Sequence, residues 1–382
     1  MAKHYDYMIA GAGCAGLSLL MRLLQEPELN NKSILVIDER PKTENDRTWC
    51  FWEKQPGLFE DIVCHSWQQV NFRSPAFTAK LDLQPYTYKM IRGIDFYNHV
   101  IEYAQQFLNV EFRYEKVLAL QTVNNKAVAQ LANEQITADY IFNSIVFEKP
   151  VIKKGGFYLL QHFKGWVIET EEPAFDASVA TFMDFSVSQQ HGTTFMYVMP
   201  VLPNKALVEY TLFTEQLLQP GDYEDALKQY IVQNLGIGNY TIQHTEFGVI
   251  PMTNHTFTQQ QGNIVYIGIA GGQAKGSSGY AFQFIQKRTA AIVASLLHNN
   301  HPFTRQTCSD KKFHLYDSVL LHVLHQKKIS GDKIFADIFK ANKPSTVLKF
   351  LDNESSIWED LKIMNSVDTK TFIRAAFAEL FK

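Results

Sequence analysis

Residues 5–16 read Tyr5-Asp6-Tyr7-Met8-Ile9-Ala10-Gly11-Ala12-Gly13-Cys14-Ala15-Gly16, a short apolar run that opens into three spaced glycines. Residues 17–25 follow with Leu17, Leu20, Met21 and Leu24 on one helical stripe. A second apolar run, 34–37, ends in Asp38, 22 residues after Gly16. Strand, glycine turn, helix, strand and acid in this order are the complete dinucleotide-binding unit. Each part has its own physical task. Gly11 permits the tight turn, Gly13 lets the backbone approach a pyrophosphate, and Gly16 lets the helix pack close to the strand. Ala12, Cys14 and Ala15 complete the turn, whose free N–H groups sit at the positive end of the helix. Asp38 can accept from both hydroxyls of an adenosine ribose and would repel a 2′-phosphate. Glu39 is the rival acid, but strand alternation turns it to the other side.

A fingerprint at the very start of a 382-residue chain is typical of FAD proteins of the glutathione-reductase type. That step is an analogy of fold. A downstream segment supports it. Residues 263–269 form an apolar run, then come Ala270-Gly271-Gly272 and Gly276-Ser277-Ser278-Gly279-Tyr280, then an apolar helical stretch, 281–297. A late strand, glycine turn and helix is where such proteins bring a second helix N-terminus to the flavin, with Gly268, Gly271, Gly272, Ser278 and Gly279 as candidate contacts. There is no second GxGxxG, so NADPH or NADH is expected only as a transient reductant.

Composition narrows the class. The 36 basic and 39 acidic residues leave a net charge of -3, without the basic excess of a nucleic-acid binder. No apolar run reaches the ~18 residues of a bilayer span. The first strand starts almost at Met1, which leaves no room for a signal peptide. Four cysteines form no CxxC pair, so no zinc or disulfide framework is readable and no metal is expected. A cytoplasmic setting follows. The 28 phenylalanines suit either a large core or a channel for a large apolar substrate.

The fold expected is α/β: a glutathione-reductase-type FAD-binding Rossmann domain (1–150 and 245–300), an inserted β-sheet substrate domain (60–95 and 151–244), and a helical C-terminal region (301–382). Residues 45–53, NDRTWCFWE, read as a loop after the second strand that either covers the cofactor or packs on the sheet, with Arg47 beside it. Arg92 ends a strand and either reaches a pyrophosphate or forms a surface ion pair. Strands are expected at 158–163, 166–170, 179–185, 194–199 and 205–213. Asp184 and Glu209 are single carboxylates in apolar strands, where desolvation raises a pKa and makes a proton donor near neutrality. The opposite reading is that they point outward or pair with a base. His322 and His325 have the i, i+3 spacing of metal ligands but no third partner. The C-terminal helices carry Ile334, Phe335, Ile338 and Phe339 beside Lys333, Lys340 and Lys343, which suits core packing or a membrane-surface segment.

Taken together, these motifs resemble the bacterial lycopene β-cyclases over nearly the whole chain. The resemblance rests on the fingerprint 11–16 with Asp38, then Asn45 to Glu53, Ile91-Arg92-Gly93, Leu160-Gln161-His162-Phe163, Met183-Asp184-Phe185 and Leu207-Val208-Glu209-Tyr210-Thr211. It closes with the Gly-Gly and Ser-Ser-Gly-Tyr block of 268–280. Two departures stand out: Tyr210 occupies the place of the family's second acid, and 274–276 replaces its His-Pro.

The resemblance implies a chemistry. Lycopene is a C40 hydrocarbon held only by apolar contact. An acid protonates C2 of its terminal double bond, a cation forms at C1, the C5=C6 bond closes the ring, and loss of the C6 proton leaves the β-ring. Both ends treated this way give γ-carotene and then β-carotene, with no net redox change. The family nevertheless requires reduced FAD, whose negative charge beside the cation would stabilise it. Glu209 is then the expected acid and Asp184 its partner or the base. A peripheral location on the inner face of the membrane is implied by the substrate. The alternative is a flavin-dependent monooxygenase or prenyl-chain reductase that consumes NADPH stoichiometrically.

Overall fold

The computed structural model describes residues 3–382. The chain opens with β1 (His4–Ala10), α1 (Cys14–Gln25) and β2 (Ile34–Asp38). Next come β3 (Thr48–Glu53), β4 (His65–Trp67), β5 (Gln69–Arg73), β6 (Thr78–Asp82), β7 (Thr87–Arg92) and α2 (Gly93–Ala104). Four strands follow: β8 (Val110–Tyr114), β9 (Ala119–Val123), β10 (Lys126–Gln130) and β11 (Gln135–Asn143). The middle is β12 (Tyr158–Glu169), β13 (Val179–Asp184), β14 (Thr193–Leu202), β15 (Lys205–Thr214), α3 (Pro220–Gln233) and β16 (Thr241–Thr253). Two short strands, β17 (Gln260–Gln261) and β18 (Ile264–Tyr266), precede α4 (Phe282–Asn299). The remainder is helical: α5 (Cys308–His325), α6 (Gly331–Ala341), α7 (Pro344–Leu351), α8 (Ile357–Ser366) and α9 (Thr369–Leu380).

The first sheet runs β17-β18-β11-β1-β2-β8, with β10 joined to β11 and β9 to β10. Its centre is parallel: β1 pairs β2 and β11, and β11 pairs β18. A parallel pair needs a covering crossover, and α1 supplies it. Its Leu17, Leu20 and Leu23 are fully buried under α4 and the sheet. Truncating any one to Ala should cost about 2–5 kcal/mol. Close packing at the turn is obligatory, since a Cβ on Gly16 would lie 2.0 Å from the carbonyl oxygen of Gly11. Gly11 itself has φ +100, a conformation that L side chains rarely adopt.

The second sheet runs β16-β12-β15-β14-β13-β5-β6, and a third, smaller one is β3-β7-β4. Four expectations from the sequence need correction here. Residues 45–53 are not a loop: Thr48–Glu53 is a strand paired with β7, since Thr, Trp, Cys and Phe favour an extended backbone once an edge is offered. β12 is one strand instead of two, because Gly165 stays in register with both neighbours. β16 pairs with β12 as far as Thr253, so the second sheet extends past residue 245. Finally, the late apolar run ends at Tyr266, and Gly268–Gly271 is a short 3-10 turn.

Candidate active site

A cavity of about 430 Å³ runs from the glycine turn after β1 to the face of the second sheet. Gly13, Cys14 and Ala15 form one end, at the N-terminus of α1. The first turn of α1 carries no acidic residue and its cap makes no side-chain bond, so its N–H groups are free for an anion. A Cβ built on Gly13 meets no atom within 4 Å, which leaves an open cradle in front of those groups. Asp38 is fixed beside them: its carboxylate accepts from the Ala12 N–H at 2.7 Å and pairs with Lys42 at 3.2 Å. Glu39 is exposed.

The other candidate contacts divide. Arg47 lines the cavity and donates to the Phe247 carbonyl at 3.1 Å, tying the start of β3 to β16. Arg92 is not brought there. Its side chain is half exposed and forked onto Asp95, with one arm at 2.8 Å, so it forms the surface ion pair. Gly268 and Gly279 line the cavity, while Gly271 and Gly272 shape the turn behind it. Ser278 is buried with an unpartnered hydroxyl, and Gln161, in the cavity wall, buries an unpartnered Oε1. The glycine segment is anchored from the far side by buried Lys275, which pairs with Asp317 of α5 at 2.7 Å. An open cradle at a helix N-terminus, with unpartnered polar atoms in and beside the wall, fits a dinucleotide.

At the second sheet the cavity meets Tyr197, Met199, Leu207, Glu209 and Glu246, with Tyr88 of the third sheet beside them. Glu209 is 8% exposed and accepts from the Thr211 hydroxyl at 2.8 Å. Burial pushes its carboxyl well above the ordinary glutamate range, and the neighbouring Glu246 charge pushes it further. Glu246, 5% exposed, accepts from the Thr48 hydroxyl at 2.7 Å. Burial raises it too, against the lowering effect of Thr48. The rings of Tyr197 and Tyr280 join through their hydroxyls at 3.1 Å, and Trp52 meets Tyr280 edge-on. This wall of aromatic faces suits a transient cation in an apolar space.

Asp184 lies elsewhere. It is fully buried, but Tyr230 of α3 donates to it at 2.7 Å, the Ser186 N–H at 2.9 Å, and Arg73 stands 3.7 Å away. That is the α3 side of the sheet, away from Glu209. His162 also faces α3, between the Tyr223 and Thr214 hydroxyls, and burial lowers it to about 4. His322 pairs with Glu379 at 2.6 Å. Glu246, Thr48 and Tyr197 escape a reading of the sequence. Glu246 sits in the polar stretch TIQHTEF of an edge strand, where an acid ordinarily faces water. The one available signal was the parity of Glu246 with Gly248 and Ile250, which also line the cavity.

The fold is α/β, in the architecture shared by flavoprotein reductases and hydroxylases. A geranylgeranyl bacteriochlorophyll reductase-like protein of Thermoplasma acidophilum superposes with a TM-score of 0.64 over 98% of this chain and 99% of its own, at 12% identity. Aklavinone-11 hydroxylase, solved with FAD and aklavinone, gives a TM-score of 0.58 over 85% of this chain and 70% of its own, also at 12% identity. The sequence profile described as lycopene cyclase protein matches residues 6–379, and the chain belongs to that family. It is therefore an enzyme of the cyclising, intramolecular-lyase kind. A lycopene beta-cyclase of Pantoea ananas is 26% identical over 330 residues, 82% of each chain. A second, from Paracoccus sp., is 24% identical over 229 residues, 58% of this chain and 53% of its own.

Proposed function

We propose that the protein is a lycopene β-cyclase that works by proton-initiated, redox-neutral ring closure. One observation carries this reading: Glu209, a carboxyl whose burial favours its acid form, stands in an aromatic wall of the same cavity that begins at the dinucleotide turn. Gly13, Cys14, Ala15 and Asp38 would hold FAD, with Arg47, Gln161, Gly268 and Gly279 nearer its ring. When bound in its reduced form, it supplies negative charge beside the cation. NADPH or NADH serves only to keep it reduced.

The residues of this chain do the rest. Tyr88, Tyr197, Met199 and Leu207 exclude water from around the apolar end group. Glu209 gives its proton to C2, with Thr211 accepting none of it and holding the other carboxyl oxygen in place. Aromatic rings line the space around the C1 cation, and the C5=C6 pair of the same end group is its intramolecular trap. Expression in lycopene-accumulating cells tests this: pigment chromatography should show bicyclic or monocyclic β-ring products. Unchanged lycopene despite a flavin-loaded protein would overturn it. The pH dependence has a definite sign. Glu209 is active only while protonated, so the rate should fall as pH rises through its elevated pKa.

Residence on a membrane surface completes the proposal, since the substrate resides in lipid. Among the described residues no helix is long and apolar enough to cross a bilayer. Ile334, Phe335 and Phe339 follow the core-packing reading: α6 turns Phe335 and Phe339 onto the second sheet and packs Ile334 against α5 and α9. The support comes from α8 and α9, which expose Trp358, Leu361, Ile373, Phe377 and Phe381 beside Lys362, Lys370 and Arg374. An apolar face with a basic rim fits an anionic lipid surface. Trp358→Glu with Phe377→Glu should move the protein from pelleted anionic vesicles to the supernatant while FAD content holds. Full retention on the vesicles would refute the face.

A further inference from the structure

Four strands place one residue each in a single row across the second sheet. Tyr197 of β14 pairs Glu209 of β15, Glu209 pairs Gly165 of β12, and Gly165 pairs Glu246 of β16. Paired residues point to the same face, so both acids lean over Gly165. Strands are spaced about 4.8 Å, so these acids are two spacings apart at their backbones and meet only because the middle residue has no side chain. A Cβ on Gly165 would stand 2.9 Å from Leu207 Cδ1, 3.0 Å from Glu246 Cγ and 3.3 Å from Glu246 Oε1. The two carboxyls are close enough to couple, and Glu246 Oε1 has no hydrogen-bond donor among the described residues. Two carboxylates are acceptors only, so a hydrogen bond between them takes one shared proton.

The asymmetry of the pair says where that proton rests. Thr48 donates to Glu246, and the Arg47 guanidinium brings positive charge toward it. Facing Glu209 are Thr211, Tyr197, Tyr280 and Cys50, none of them cationic. This asymmetry favours the proton on Glu209 and the charge on Glu246. Ring closure puts a proton on C2 and takes one from C6, and both carbons are bonded to C1 in the closed ring. A donor and an acceptor side by side are what such a reaction needs.

Building on the cyclase reading, we infer that Glu246 is the base of the reaction, and that Gly165 is the positioning residue that lets Glu246 and Glu209 share one proton. The steps balance. The Glu209 O–H breaks as C2–H forms, the C5=C6 pair forms the C1–C6 bond, and the cation moves to C5. The C6–H then breaks, its electron pair restores the C5=C6 bond, and the proton goes to Glu246. Transfer from Glu246 to Glu209 resets the pair with no electron gained or lost. The second acid that Tyr210 fails to supply thus comes from another strand.

The test uses FAD-loaded, reduced protein with lycopene in vesicles, comparing wild type, Glu246→Gln and Gly165→Ala at matched flavin content. Glu246→Gln should lower β-ring formation by about 10²–10⁴-fold, the range for a positioned acid–base group. Gly165→Ala keeps both acids and separates them, so its rate should fall while its pH profile loses the single alkaline limb of the pair. Wild-type rate and pH profile in Glu246→Gln would overturn the assignment. Infrared spectra of the carboxyl region, recorded without substrate, separate the two readings. A protonated-carboxyl band that shifts in Glu246→Gln and in Gly165→Ala supports the shared proton even if wild type fails to cyclise lycopene, a failure that would count against the cyclase reading alone. No shift in either variant would overturn the pair.

Discussion

Glu209→Gln should abolish most of the cyclase activity, lowering the rate by about 10²–10⁴-fold at neutral pH. The substitution keeps the side-chain shape and the bond from Thr211, and removes the dissociable proton. FAD content should be unchanged, since the carboxyl lies at the sheet end of the cavity and the dinucleotide turn at the other. The variant should be no less stable than wild type at high pH. A buried carboxyl with a raised pKa loses stability as pH rises through that pKa, and the amide carries no such cost. Lycopene conversion and a urea melt, each taken across pH, check both statements. A variant that cyclises at the wild-type rate would place the acid elsewhere.

Gly13→Val should remove FAD from a folded protein. Its Cβ meets nothing within 4 Å, so the chain itself tolerates a side chain there, and what the side chain fills is the cradle before α1. Gly16→Val should behave differently, because its Cβ would strike the Gly11 carbonyl at 2.0 Å and break the packing of α1 on β1. The purified Gly13 variant should thus keep the wild-type circular dichroism spectrum and lose its flavin absorbance. The Gly16 variant should lose both. Full flavin retention in Gly13→Val would contradict the assigned turn.

The dinucleotide turn was legible because all its parts are neighbours in sequence. Gly11, Gly13, Gly16 and Asp38 act through local geometry, which spacing encodes directly. Glu209 was legible for a related reason, an acid alone in an apolar strand. Asp184 met the same criterion and is on the other side of the sheet. Counting by twos from Phe182, which packs on the cavity side, puts Asp184 beside it, but the register shifts between Thr181 and Asp184 and turns the carboxylate to Tyr230. An irregularity of one residue flips a side chain to the opposite face. Glu246 was illegible because its meaning lies in register. Only the alignment of β16, β12 and β15 sets it opposite Glu209 across Gly165. Arg92 shows the limit of motif reading in the other direction: the correct strand end, with the charge spent on Asp95 three residues on.

The central claim is redox-neutral ring closure in a flavoprotein fold, and product mass against reductant consumed tests it most directly. Purified, FAD-loaded protein is given lycopene in vesicles and NADPH under anaerobic conditions. The product should have the mass of lycopene, carry β-rings, and form in large excess over the NADPH oxidised. A hydrogenated product formed with one NADPH each would contradict the account and make the protein a reductase.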